Sequence, residues 1–157
     1  MPVPEAEPYV GDLRLEHDWS AARGVPAHIT ILFPFAPADG VDEDEVAAVL
    51  ASHTAFAFEL VAVRRWPGPL TYLAPEPEAP FRALTKAVWQ HWPEYPPYGG
   101  EHDYVVPHLT VADNAGLELP EVEAAMPIRC HARELLLIEE QPDGRWEPRR
   151  AYPLGVE

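Results

Sequence analysis

At 157 residues and 47% hydrophobic content, the chain has the size of one globular domain and enough apolar side chains for a sizeable core. Its formal net charge of −15 works against a grip on long nucleic acid, which comes from Lys and Arg releasing counterions along the backbone; a small or terminal phosphate is easier to reconcile with it. The lone cysteine, Cys130, excludes an internal disulfide and a cysteine-rich zinc site, and with no signal-like start and no apolar run of membrane-span length the expectation is a soluble, cytoplasmic protein.

In chain order, residues 1–4 read as a short strand and 5–18 as a helix. Gly24-Val25-Pro26 then turns the chain into an alternating run at 28–35. Residues 42–52 have helical character, with acidic residues in the first turn and Val46, Val49 and Leu50 on one side. Residues 56–66 alternate as a long strand with Phe56, Phe58, Leu60 and Ala62 on one face, Pro67-Gly68-Pro69 turns, and 70–74 return. A helix follows at 80–92 with Leu84, Val88 and Trp92 at helical spacing. A Pro/Gly/Tyr loop at 93–103 leads to a strand at 105–112, a short helix at 119–125, a long strand at 128–140, a hairpin turn at Pro142-Asp143-Gly144 and a returning strand at 145–154. The twenty prolines lie between these segments as loop punctuation. Ten of the eleven basic residues are arginine, Lys86 being the lone lysine, a composition that suggests a GC-rich bacterial genome.

Eighty residues apart the chain writes the same figure twice, His28-Ile29-Thr30 and His108-Leu109-Thr110. Side chains alternate across a strand, so His28 and Thr30 share one face while Ile29, Ile31 and Phe33 take the other; Leu109 and Val111 do the same behind His108 and Thr110. The order of elements after each tripeptide is also the same, which gives approximate repeats at 28–74 and 108–154 within one bilobal unit spanning 1–157. A pseudo-twofold between them brings His28 and His108 across a cleft.

With HITILFPF at 28–35 and PHLTVA at 107–112, the chain resembles the 2H phosphoesterase superfamily, in the branch named 2′-5′ RNA ligase-like or cyclic phosphodiesterase, and the resemblance covers nearly its whole length. It implies an α+β fold of two pseudo-symmetric lobes, each an antiparallel sheet with flanking helices, with both His-x-Thr (HxT) strands facing a central cleft. It implies as well an enzyme acting without a metal or other cofactor on phosphodiesters, often 2′,3′-cyclic phosphates at nucleotide or RNA ends.

The chemistry of the residues points the same way. Opening a cyclic phosphodiester needs a base to deprotonate water on one side of phosphorus and an acid to protonate the departing oxygen on the other. Histidine serves both tasks near neutral pH. His28 is assigned as acid and His108 as base, with the roles exchanged in the reverse reaction and a bell-shaped pH profile. Thr30 and Thr110 bind the phosphate's non-bridging oxygens. Tyr95 and Tyr98 are candidates to stack on a base, whereas Trp92 is expected in the core. Arg64 and Arg65 are read either as phosphate contacts or as a solvent-exposed strand-end pair. His17, His53, His91, His102 and His131 are read as surface or satisfied core residues. No HExxH or Cys/His spacing supports zinc, and no glycine-rich loop supports a nucleoside triphosphate. The function expected is hydrolysis of a ribose cyclic phosphate on a small nucleotide or RNA end, by a monomer that touches no membrane; the alternatives are ATP-independent 2′-5′ RNA ligation and a non-catalytic nucleotide-binding module.

Overall fold

Alternation sets the two tripeptides as their sequence requires. In the computed structural model, which describes residues 1–101, 105–113 and 116–155, Ile29 and Ile31 are buried behind His28 and Thr30, and Leu109 and Val111 behind His108 and Thr110. The second tripeptide runs into a strand, β3 (Leu109–Ala112), at the edge of a four-stranded antiparallel sheet. Its neighbours, in the order β3-β2-β1-β4, are β2 (Thr71–Glu76), β1 (Phe56–Arg65) and β4 (Ile128–Ala132). A separate antiparallel pair is formed by β5 (Glu134–Glu140) and β6 (Trp146–Pro153). The helices are few: α1 (Glu7–His17), α2 (Trp19–Ala22), α3 (Glu43–Leu50), α4 (Ala79–His91) and α5 (Pro120–Ala124). The architecture is thus α+β, built on antiparallel sheets. Among the described residues no helix is long and apolar enough to cross a membrane.

α4 presents Phe81, Leu84 and Val88 to the core, with Trp92 buried just past its end. Phe81 meets Phe56 and Phe58 edge-on, each at 5.0 Å between centroids, the geometry that ring quadrupoles favour. From the same helix, the Thr85 hydroxyl donates to the Ile31 carbonyl at 2.8 Å, so one helix supports both the sheet core and the backbone of the first HxT segment.

Three expectations are corrected. The run at 28–35 is no eight-residue strand: His28 makes a single bridge with Pro2, flanked by bonds from Val3 to Ala27 and from Ile29 to Met1, and the chain bends from residue 31 onward. Its partner segment carries Pro2 and Pro4, which have no N–H to donate, so the ladder ends. Phe33 consequently leaves the core and is 42% exposed. The strand at 128–140 is two strands in two sheets, broken at Arg133 where the chain leaves β1 for β6. Burial changes phase there, from Ile128, Cys130 and Ala132 to Leu135, across the charged pair Arg133-Glu134. In β1 the shared apolar face ends at Leu60, because a bulge between Leu60 and Ala62 re-aims the rest of the strand.

The centre of the sheet sets the stability. Leu73 in β2 is fully buried, and Leu73→Ala is expected to cost about 2–5 kcal/mol, read as a lower denaturant midpoint at unchanged m. Leu15→Ala, at a position 62% exposed, should stay within about 0.5 kcal/mol of the parent.

Candidate active site

His28 and His108 are held by the same local bond. The Nδ1 of His28 lies 2.8 Å from the carbonyl of Pro26, and the Nδ1 of His108 lies 2.7 Å from the carbonyl of Val106. A carbonyl can only accept, so each ring is fixed with its proton on Nδ1 and each Nε2 is left as the group available for chemistry. His28, Thr30, His108 and Thr110 line one cavity of about 630 Å³. A larger open groove of about 1020 Å³ between α1 and residues 118–122 contains neither tripeptide.

The segments carrying the histidines are clamped from elsewhere in the chain. Arg82 of α4 donates to the Val105 carbonyl at 2.5 Å, just before Val106 accepts from His108. Arg14 of α1 is buried, 2% exposed, and its Nε and Nη2 reach Asp18 Oδ2 at 3.1 and 2.8 Å. The same guanidinium donates to the Thr110 carbonyl at 3.1 Å and to the Val25 carbonyl at 3.3 Å. Asp18 in turn accepts from the backbone N–H and hydroxyl of Ser20. One ion pair therefore joins the second HxT strand to the turn that leads into the first.

Burial sets the electrostatics. It pushes His28 down to about 4; the N-terminal amine and Arg14 add to this, while the bond to Pro26 and the nearby Asp18 oppose it. His108 is also lowered by burial, against the bond to Val106. The cause is visible around the ring: Trp66 stands edge-on at 4.6 Å, Tyr72 at 5.7 Å, and Tyr98 lies roughly parallel at 6.5 Å. Tyr98 also shares a side-chain hydrogen bond with Thr30, and burial raises its own pKa, so the phenol stays protonated. It occupies a left-handed backbone position, φ 52°, from which its N–H donates to the Phe33 carbonyl at 2.7 Å.

Of the two tyrosines singled out from sequence, Tyr98 therefore reaches the cavity. Tyr95 does not line it; its ring packs edge-on against Phe35 at 5.9 Å, in the core. Arg64 and Arg65 do not line it either; Arg65 bonds the Leu117 carbonyl and pairs with Glu118 at 3.1 Å. His102 lies outside the described residues. Sequence reasoning missed Arg14, Trp66 and Tyr72. Only Arg14 carried a signal, its i,i+4 spacing to Asp18.

The family model of the 2′-5′ RNA ligase superfamily matches residues 2–144. The chain belongs to that superfamily, the 2H phosphoesterases. This superfamily member is similar in fold to E. coli LigT in its apo form, with a TM-score of 0.63 at 17% identity over 99% of this chain and 94% of LigT. Against LigT complexed with 3′-AMP the TM-score is 0.62 at 15% identity, covering 96% and 91%. TT0787 of Thermus thermophilus gives 0.57 at 16% identity, covering 85% and 82%. No curated relative matches by sequence.

Two outcomes follow for this 2H phosphoesterase. Arg14→Met strands Asp18 as a buried unpaired charge and is expected to cost about 3–5 kcal/mol in denaturation, most of it recovered in Arg14→Met/Asp18→Leu. His28 takes a proton near pH 4 when folded but near 6.5 when unfolded, so the unfolded state is the better proton binder between those values. The stability it contributes is complete above about pH 6.5 and is lost as the pH falls toward 4. His28→Gln should flatten that part of the curve of Tm against pH.

Proposed function

We propose that this protein hydrolyses a 2′,3′-cyclic phosphate on a ribose by two-histidine acid–base catalysis, with no metal in the chemical step. The observation that carries the reading is the repeated anchor: two histidines, each with Nδ1 tied to the carbonyl two residues back, beside two threonines on one cavity. In this reading a neutral imidazole takes a proton from water at Nε2 as the water oxygen bonds to phosphorus. The P–O bond to one ribose oxygen breaks, and the other imidazole, protonated, gives its Nε2 proton to that oxygen. A nucleoside monophosphate is left. Each proton transfer is worth about 10²–10⁴ in rate, enough to make both rings necessary.

The threonines face the charge that builds on the non-bridging oxygens. The Tyr98 phenol, kept protonated by burial, shares a hydrogen bond with Thr30 that holds that hydroxyl in place at the cavity. That LigT binds 3′-AMP, the kind of product this reaction makes, supports the reading. So do the charge of −15 and the lone cysteine, which fit a small substrate met in the cytoplasm. Ligation would run the same chemistry backward and needs a surface for a second RNA strand, which that charge disfavours.

The electrostatics favour the opposite assignment of roles from the one expected from sequence. His28 is pushed furthest down, so when the free enzyme takes up a single proton it sits on His108, making His108 the acid and His28 the base. The active form carries one proton on the pair. It is populated between the two pKa values, both of which lie below 6.5, so kcat/KM should climb as the pH falls from 7 and peak on the acid side of about 6.5.

The test is hydrolysis of the four nucleoside 2′,3′-cyclic phosphates in EDTA. The wild type should turn over at least one of them, and His28→Ala or His108→Ala should each lose about 10³-fold or more. An inactive wild type, or histidine variants that keep their activity, would overturn the reading.

A further inference from the structure

The cavity that holds the two histidines is lined by Asp18, Asp113, Glu139 and Glu140, against Arg149 as the one Lys or Arg among its described residues. A site for phosphate is thus set in a cleft of the substrate's own sign. Such a cleft, walled by low-dielectric protein, focuses its field on whatever enters.

Three of the four carboxylates are offset by arginine. Asp18 pairs with the buried Arg14 at 2.8 Å, Glu140 with Arg23 at 3.5 Å and Glu139 with Arg149 at 3.9 Å. Arg149 is itself held by Glu43 at 2.7 Å and by the Ala38 carbonyl, so it has little charge left for a ligand. Asp113 is different. Its side chain accepts from the Trp19 N–H at 3.4 Å, and no Lys or Arg among the described residues pairs with it. The N-terminal amine on the same cavity is no counter-charge at neutral pH, since burial pushes it down to about 5.

Asp113 stands just past the end of β3, three residues beyond Thr110, and its own N–H is fixed to the His17 carbonyl at 3.0 Å. Three residues of chain span at most about 11 Å, so its backbone lies within roughly one Debye length of Thr110 at 0.1 M salt. A cyclic phosphate between the two tripeptides has hydroxyls and imidazoles to offset its single charge. A second phosphate on the same molecule has neither, and it meets the Asp113 carboxylate unopposed. An unpaired charge set against the wrong ligand is one of the two ways a site achieves selectivity.

We propose that Asp113 is a specificity-determining residue whose carboxylate excludes a second phosphate from the site. The substrate class is then a ribose cyclic phosphodiester with no phosphate on its 5′ oxygen. An RNA end always carries one there, so it falls outside the class. The proposal rests on the reading above for where the cyclic phosphate sits.

The test compares uridine 2′,3′-cyclic phosphate with the same compound bearing a 5′-phosphate and with the dinucleotide UpU ending in a 2′,3′-cyclic phosphate. At low salt the wild type should favour the singly charged substrate by about 10-fold or more in kcat/KM, and the preference should shrink several-fold near 0.5 M salt, where the Debye length is under about 5 Å. Asp113→Asn should cut the low-salt preference about 5-fold, through the KM of the substrates with two phosphates, and Asp113→Lys should abolish or invert it. Asparagine keeps an oxygen for the Trp19 N–H, so Tm should hold and the change cannot be laid to misfolding. Equal or faster turnover of the substrates with two phosphates, a preference indifferent to salt, or one unchanged in both variants would overturn the proposal. Were no cyclic phosphate turned over, the catalytic reading alone would fail, and calorimetry at low salt with uridine 3′-monophosphate against uridine 3′,5′-bisphosphate would decide the role of Asp113. Weaker bisphosphate binding that Asp113→Asn restores would uphold it; equal or tighter bisphosphate binding, or no binding of either, would overturn it.

Discussion

The Arg14 guanidinium touches backbone on both sides of the histidine pair. It donates to Val25, three residues before His28, and to Thr110, two residues after His108, while Asp18 balances its charge. Burying two opposite charges costs desolvation that their attraction repays only when every donor finds an acceptor. Here the contacts run to Asp18, Ser20 and two carbonyls, so the pair is well satisfied. The return is positional: two motifs eighty residues apart in sequence are referred to one rigid group, and a displacement of either is resisted by the same network. Catalytic geometry tolerates errors of less than about 1 Å, which is the reason such a clamp matters more than its net contribution to stability.

The site also sets two electrostatic effects against each other. The net charge of −15 favours protonated histidines at long range, yet both rings are driven the other way by burial. Local desolvation wins because solvent and salt screen distant carboxylates beyond about 8–10 Å, while Trp66, Tyr72 and Tyr98 exclude water from His108 at contact distance. In the proposed reaction a phosphate entering between the rings would restore what burial removed, since its negative charge favours the imidazolium. On this account the substrate completes the protonation state it needs, and the two titrations are coupled through it.

Much of this was legible in the sequence where local rules decide. Strand alternation placed Ile29, Ile31, Leu109 and Val111 inside, and helical spacing placed Leu84, Val88 and Trp92 there. The misses occur where partners decide. Residues 28–35 alternate well, but their extent as a strand depends on a partner whose prolines cannot pair; the break at Arg133 depends on which strand each half meets, though two adjacent charges marked it. Tyr95 and Tyr98 look equivalent in a loop of Pro, Tyr and Gly, and only the left-handed turn at Tyr98, followed by Gly99 and Gly100 at positive φ, sends one ring to the cavity and leaves the other on Phe35. Arg14, Trp66 and Tyr72 reach the site by tertiary convergence, which no local pattern encodes.

The central claim is that two histidines, each locked as the Nδ1–H tautomer, turn their Nε2 atoms to one phosphate. Nitrogen-15 NMR of the imidazoles tests it most directly, with His28 and His108 assigned through single variants and a nucleoside 3′-monophosphate titrated in. The account predicts that both rings are neutral Nδ1–H tautomers at pH 7, and that both Nε2 signals move together with raised pKa values as the phosphate binds. An Nε2–H tautomer at either ring, or a phosphate that perturbs one ring and leaves the other unchanged, would contradict it.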